Sequence, residues 1–181
     1  TFVHGQTSYM SLHTSGRFDQ IIAVSGGGYL TSGFDSNYAH QYIRWDAGFN
    51  PVWKIKLSDS TLTPFSNLVI EANDGSFYLG ASSSQNTGSF VVTKVSASGS
   101  VLWQKRYTGG AVNYSLYAPC LTKAAGNDNG FVFGTGACSL HNVVVKCDGS
   151  GNIVWQKSYT YPLAIGVITC MSLITVNDGY M

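Results

Sequence analysis

The sequence has few charged residues and lacks any long hydrophobic run. Charged residues are 10% of its 181 residues, against about 25% in a typical soluble domain, and the net charge is +1. Such a chain has no bulk attraction for nucleic acid or for an anionic membrane. No apolar run approaches the roughly 18 residues of a membrane span. We therefore expect neither a nucleic-acid partner nor membrane insertion.

Helix signals are also nearly absent, because no long segment keeps a 3.6-residue period free of Gly and β-branched residues. In their place are 21 Gly, 13% aromatic residues and many Ser, Thr and Asn, which suit short strands joined by turns. The hydrophobic content of 44% argues against disorder. The length suits one domain with a sizeable core. We predict an all-β fold in which residues 1–181 form a single domain or a segment of one.

Patterns that carry known chemistry are missing. The sequence has no nucleophile elbow, no phosphate loop, no CxxC pair and no His pair at helical spacing. Four of the nine acidic residues lie in turns that recur along the chain, where Asx-turns account for them: Asp74, Asp128, Asp148 and Asp178. We therefore predict no catalytic residue, no metal site and no cofactor, so the chain is not expected to be an enzyme.

Cysteine is missing before position 120. The four that follow allow three disulfide pairings or a set of buried free thiols, and the sequence does not choose between these: Cys120, Cys138, Cys147 and Cys170. Cys120 and Cys170 fall at equivalent places 50 residues apart, which favours a repeated core position.

The N-terminus lacks the basic and apolar regions of a signal peptide.

The chain does contain a repeated motif in which a cation precedes a Trp by nine positions. It runs from Arg44 to Trp53, from Lys94 to Trp103 and from Lys146 to Trp155. The Trp residues lie 50 and 52 positions apart, and a period of this size indicates a repeat architecture. In the third copy, Asp-Gly-Ser-Gly-Asn forms a polar turn before the strand that carries the Trp.

A second landmark, a Gly/Asp/Asn turn followed by an aromatic residue, recurs with the same period at Tyr29, Phe77, Phe131 and Tyr180. Such turns supply the positive φ of tight hairpins. In the second repeat we predict strands at about 66–72, 76–82, 89–95 and 100–107. Four strands per unit of about 50 residues match a β-propeller blade. The predicted blades span approximately 18–63, 66–112 and 117–163.

The two ends read as parts of further blades, at 166–181 and 1–15. Either the N-terminal strands complete the last blade of a closed ring, or the chain is a segment of a longer array. Three full repeats with split parts give about four blades, which is the lower limit for closure. We favour the longer array.

The Asp-Gly turn, the strand ending in Lys and the run Asp148 to Trp155 resemble tandem propeller repeats of secreted and cell-surface proteins, such as delta-60-like repeats. The Asp-to-Trp portion is similar to the tryptophan-docking motif of quinoprotein-type propellers. The first copy departs most, because Phe49 stands at the turn Gly and Pro51 at an aliphatic position, so its turn geometry is not predicted. The resemblance implies that Trp53, Trp103 and Trp155 pack between neighbouring blades.

Physical reasoning agrees, because an indole buries a large apolar area and needs one acceptor for its N–H. The alternative for the Trp residues is a carbohydrate-stacking platform. We expect Arg44, Lys94 and Lys146 to snorkel along the strand ends rather than to bind a ligand.

These observations favour a non-catalytic module, extracellular or at the cell surface, that binds a glycan, a protein or copies of itself. Candidate ligand contacts are loop aromatics, and one sequon is a candidate glycosylation site: Tyr38, Tyr114, Tyr117 and Tyr161, and Asn113. The alternatives are a fragment of a quinoprotein-like enzyme and an intracellular scaffold. The scaffold predicts four reduced cysteines.

Overall fold

The computed structural model describes residues 16–57, 67–83, 89–108, 117–126, 128–136, 141–160, 175–176 and 179–180. Every regular element in these ranges is a β-strand. The first sheet has the order β1-β2-β3-β4, the second β5-β6-β7-β8 and the third β9-β10-β11-β12, with all neighbours antiparallel. A two-stranded hairpin, β13-β14, follows. The prediction of an all-β fold built from four-stranded antiparallel units is confirmed.

The strands have the following bounds: β1 Arg17–Ala23, β2 Tyr29–Phe34, β3 His40–Trp45, β4 Pro51–Leu57, β5 Asn67–Glu71, β6 Phe77–Ser83, β7 Ser89–Val95, β8 Val101–Thr108, β9 Tyr117–Lys123, β10 Phe131–Gly136, β11 His141–Cys147, β12 Ile153–Thr160, β13 Thr175–Val176 and β14 Gly179–Tyr180. In the second repeat every observed strand starts and ends within one residue of its predicted bounds.

The second sheet is covered on both faces. All seven residues of the central strand β7 are buried, as is typical of strands with both faces covered. One face, with Phe77, Leu79 and Val91, packs against the first sheet. The opposite face, with Tyr78 and Phe90, packs against the third sheet. The sheets therefore stack in chain order.

The first and fourth strands of each sheet have different surroundings. The first strands of successive sheets lie against each other, β1 against β5 and β5 against β9. The side chain of Gln20 in β1 accepts a hydrogen bond from the backbone N–H of Val69 in β5, at 2.8 Å. The fourth strands β4 and β8 have exposed or half-buried side chains along nearly their whole length. The stack is thus closest at its first strands and open at its fourth strands.

Candidate functional site

The turns between the third and fourth strands, at residues 46–50, 96–100 and 148–152, share one backbone geometry. In each, the N–H of the first residue donates to the carbonyl of the fifth at 2.9 Å, as in Asp46 to Asn50. The side chain of the first residue then accepts from the fifth N–H, as Asp148 does from Asn152 at 2.8 Å. The fourth residue has a positive φ in all three turns. The first copy therefore keeps the turn in spite of its sequence departures.

Trp53 and Trp103 lie against these turns of the following sheet. The indole N–H of Trp53 donates to the carbonyl of Ala97 at 3.0 Å, and that of Trp103 donates to the carbonyl of Gly149 at 3.3 Å. The acceptor is the second residue of the turn in both cases, so the repeat places it identically. Each indole thus has the acceptor that a partly buried N–H requires.

Each of these indoles rests on the positive-φ glycine of the turn. A Cβ built at Gly99 would lie 2.7 Å from Cγ of Trp53, and one built at Gly151 would lie 2.9 Å from Cη2 of Trp103. Their φ angles of 88° and 76° also favour glycine. Glycine is needed there both for the backbone conformation and for the close approach of the ring.

Trp155 occupies the same register position in the third sheet. It pairs across the sheet with Lys146, and Lys146 pairs with Val132. Because side chains alternate along a strand, Trp155 lies on the face opposite Phe131, the face that does not contact the second sheet. The ring is half-buried, and the Lys157 ammonium lies 5.6 Å from its centroid.

The cation of the repeat forms an ion pair in the second and third sheets. Lys94 Nζ lies 3.1 Å from Asp74 Oδ2, and Lys146 Nζ lies 2.9 Å from Asp128 Oδ2. Lys94 does not snorkel to solvent as predicted, since its side chain is only 9% exposed. Its Nζ also lies 3.4 Å from the carbonyl of Gly149 in the third sheet. The burial follows from stacking, which the sequence alone does not give.

Arg44, the cation of the first sheet, has a different set of partners. The residue equivalent to Asp74 is Gly26 there, so no carboxylate is available in that turn. The guanidinium instead donates to the backbone carbonyls of Gly27 and Trp45. Arg44 therefore anchors the turn through carbonyl oxygens and leaves its positive charge without a carboxylate in this turn.

A buried polar cluster joins the first two sheets, and sequence reasoning missed it. The Asn67 side chain donates to the carbonyl of Gly33 at 2.7 Å and accepts from His40 Nδ1. The Tyr42 hydroxyl lies 3.1 Å from the same amide oxygen, and burial raises the pKa of Tyr42. At the next interface Phe90 takes the place of His40 and packs against Phe133, with ring centroids 5.1 Å apart and planes tilted by 42°. No local sequence pattern distinguishes the polar interface from the apolar one.

The candidate ligand-contact aromatics are only partly described. Tyr38 is 70% exposed and has φ 59° in the β2–β3 turn. Tyr117 begins β9. Outside the described residues lie Tyr114, Tyr161 and the sequon residue Asn113.

A partly exposed aromatic pair, which the sequence did not single out as a pair, lies at the turn of the first sheet. The rings of Tyr29 and Phe49 stack with centroids 4.8 Å apart and an interplanar angle of 12°. Phe49 is 46% exposed and has φ 62°. The only signal in the sequence was that Phe49 replaces the turn glycine.

The described acidic side chains make structural contacts. Asp74, Asp128 and Asp148 each accept from the backbone N–H two residues later, at 3.0, 2.7 and 2.9 Å, so the predicted Asx-turns are present at these three residues. Asp178, the fourth, lies outside the described residues. Within the ranges that the structure covers, no three His, Cys, Asp or Glu residues are grouped as metal ligands. The described part also has no helix long and apolar enough to cross a membrane.

Two cysteines are described. Cys147 is a fully buried free thiol, and burial raises its pKa to about 11. Cys120 is buried in β9, an edge strand of the third sheet. Cys138 and Cys170 lie outside the described residues. A thiol as buried as Cys147 behaves as a small apolar side chain.

Comparisons with known proteins support the fold only. No family model matches the chain, and no curated protein matches it. A solved structure, a protein of unknown function from Bacteroides caccae, matches with a TM-score of 0.61 and 14% sequence identity. The match covers 91% of this chain and 52% of that one, so the chain spans about half the length of that structure.

Proposed function

We propose that the three sheets are blades of a β-propeller and that the chain is a non-catalytic extracellular module that binds a glycan or a protein ligand. The observation that carries the propeller is the repeated indole contact. Trp53 and Trp103 bind equivalent turns of the following sheet at both described interfaces. Because the same contact repeats at each interface, each sheet is related to the one before it by the same rotation and translation. Repeating one such step produces a regular array of sheets, such as the blades of a propeller.

The close approach of successive first strands supports the same arrangement. β1 lies against β5, and β5 lies against β9, while the fourth strands β4 and β8 remain open. In a propeller the first strands surround the axis and the fourth strands form the rim. The series of three sheets fits this geometry as a set of consecutive blades.

The use of the carboxylates supports a binding role rather than catalysis. Every acidic side chain in the described ranges accepts a hydrogen bond or forms an ion pair within the scaffold, including Asp19 with Arg17 at 2.7 Å and Glu71 with the N–H of Ser25 at 2.8 Å. General acid–base chemistry needs a carboxyl that is placed to reach a substrate. Scaffold contacts account for each of the described carboxyls without such a role.

A binding screen of the purified chain tests this proposal. We expect specific retention on a panel of immobilised polysaccharides or capture of a defined protein ligand, with no turnover of the bound material. Size-exclusion chromatography at increasing concentration tests self-assembly, the alternative within this proposal. Release of bound quinone on denaturation, or quinone-dependent dye reduction, would favour the quinoprotein-like enzyme instead.

Localisation has a separate test. Fractionation of the source cells with an antibody against the chain should place it in the medium or on the cell surface. Recovery in the cytosol with Cys138, Cys147 and the other two thiols all reduced would favour the intracellular scaffold.

A further inference from the structure

The backbone at Phe49 adopts a conformation that side chains other than glycine rarely take. Its φ is 62°, and the residues at the same place in the other two turns are Gly99 and Gly151. A bulky residue in this region costs on the order of 1–2 kcal/mol. The turn itself does not need a ring, because glycine forms the same hydrogen bonds in both other copies. Strain of this kind at an exposed position points to a role for the side chain.

The ring of Phe49 excludes the contact that the other two turns make. At Gly99 even a Cβ atom would come within 2.7 Å of the Trp53 indole. A whole benzyl group at the equivalent position leaves no room for an indole from a preceding sheet or from a second copy of the chain. The first-sheet turn is therefore built to receive something other than the tryptophan of this repeat.

Two nearly parallel rings form the surface at this turn. Tyr29 supports Phe49 from one side, with centroids 4.8 Å apart and 12° between the planes. Phe49 is 46% exposed. The stack fixes the orientation of the exposed ring before any ligand arrives, so little side-chain entropy is lost on binding. An aromatic face carries a negative quadrupole, which attracts the polarised C–H groups on the apolar face of a sugar ring.

Polar groups of the same turn flank the aromatic pair. Asp46 Oδ2 accepts from the Asn50 side-chain amide at 3.0 Å, and Asp46 Oδ1 accepts from the Asn50 N–H at 2.8 Å. A carboxylate has about four acceptor positions, so Asp46 can also accept from a hydroxyl group. The Asn50 side-chain amide and N–H, with a smaller effect from the positive charge of Arg44, hold the pKa of Asp46 below its usual range. Because the charges of Asp46 and Arg44 have opposite sign and lie close together, the turn has no net attraction for an acidic sugar.

We propose that Tyr29 and Phe49, with Asp46 and Asn50 beside them, bind a neutral pyranose unit of a polysaccharide. The exposed Phe49 ring stacks on the sugar, and Asp46 accepts from its hydroxyl groups. This inference rests on the proposed binding function and adds the ligand class and the site. This site differs from the loop aromatics considered above, because Phe49 lies at the turn position that contacts a tryptophan in the other two sheets.

Affinity electrophoresis against neutral polysaccharides (a β-glucan, a galactomannan and a xylan) and one anionic polysaccharide (alginate) tests the proposal. The wild-type chain should be retarded by at least one neutral polymer and not by alginate. Phe49→Gly should lose about tenfold in affinity, corresponding to ~1.4 kcal/mol, with its thermal midpoint kept or raised because the strain is relieved. Phe49→Trp should retain binding.

Tyr159→Ala is the matched control, because Tyr159 is 48% exposed on β12 and lies outside the site. It should bind as the wild type does. If Phe49→Gly binds a neutral polymer with unchanged affinity, the site assignment is wrong and the binding function stands. Retardation by alginate alone would overturn the ligand class. If the wild type binds no polysaccharide, both the site and the glycan form of the proposed function are wrong.

Discussion

The indole of Trp53 rests on Gly99 of the following sheet. Its N–H donates to the carbonyl of Ala97 two residues earlier, at 3.0 Å, and a Cβ at Gly99 would lie 2.7 Å from Cγ of the ring. A single turn therefore offers both a hydrogen-bond acceptor and a surface without a side chain. The same relationship joins Trp103 to residues 148–152. This pair of contacts determines how each sheet attaches to the next.

The first prediction separates two effects of replacing a turn glycine, the steric clash with a nearby indole and the strain of a positive φ. Gly99→Ala should destabilise the fold more than Gly75→Ala does, as measured by urea denaturation. Both glycines have a positive φ, of 88° and 75°, so both variants have a conformational cost of about 1 kcal/mol. Only Gly99 has the indole within contact distance, whereas nothing lies within 4 Å of a Cβ at Gly75. Equal losses of stability for the two variants would mean that the indole does not rest on Gly99.

A second prediction concerns Trp103. Trp103→Ala removes a half-buried ring that contacts Tyr78 and Phe131 at 5.8 and 6.2 Å, and it leaves the carbonyl of Gly149 without this donor. We expect a loss of ~3 kcal/mol in the free energy of unfolding. Val154→Ala, at an exposed position of β12, is the control and should change stability by less than about 0.5 kcal/mol. A Trp103→Ala variant as stable as this control would contradict the structural role.

The strands and their grouping into units of four could be predicted from the sequence, because turns with Asp-Gly or Asn-Gly recur with a constant period. The chemistry between the sheets could not. Asn67 forms hydrogen bonds with Tyr42, 25 positions away in the sequence, and with Gly33, 34 positions away. No local sequence pattern encodes such contacts. The burial of Lys94 likewise depends on the third sheet. Phe49 was noticed only as a departure from glycine, since a positive φ at phenylalanine is contrary to its intrinsic preference.

A third prediction concerns the buried Lys94. Asp74→Asn keeps the acceptor for the Ser76 N–H but removes the charge that faces Lys94, so it should destabilise the fold by on the order of 2 kcal/mol. This is less than for a fully buried pair, because the Asp74 side chain is 36% exposed. Asp128→Asn should cost less, since its partner Lys146 is 20% exposed against 9% for Lys94.

The double variant Lys94→Met/Asp74→Asn provides the cross-check on this pair. It should recover part of the stability lost in Asp74→Asn, because no unpaired charge remains buried. If Asp74→Asn and Asp128→Asn cost the same, or if the double variant only adds to the loss, the buried Lys94 does not depend on Asp74.

A fourth prediction concerns pH. The pKa of Asp148 lies below its usual range, chiefly because its carboxylate accepts a hydrogen bond from the backbone N–H of Asn152. The Asn152 side-chain amide and the N–H of Ser150 lower the pKa further, while burial acts in the opposite direction. As the pH falls, Asp148 therefore becomes protonated at a higher pH in the unfolded chain than in the folded chain. Stability from this group is complete above the ordinary pKa of about 3.9 and is lost as pH falls through the lower folded value.

Asp148→Asn isolates this effect, because the amide oxygen keeps an acceptor for the turn but does not titrate. The stability difference between wild type and variant should be larger at about pH 6 than at about pH 2.5, by chemical denaturation at each pH. A difference that stays constant over this range would mean that Asp148 is not bound as described.

The account depends most on the two hydrogen bonds from the indoles of Trp53 and Trp103 to the following sheet. Hydrogen exchange of the indole N–H groups, followed by NMR and assigned with Trp→Phe variants, measures these bonds directly. We predict that both signals exchange markedly more slowly than the indole of free tryptophan under the same conditions, and that Gly99→Ala accelerates the exchange of Trp53 while leaving Trp103 slow. Exchange of Trp53 and Trp103 as fast as free tryptophan would contradict the attachment of each sheet to the next.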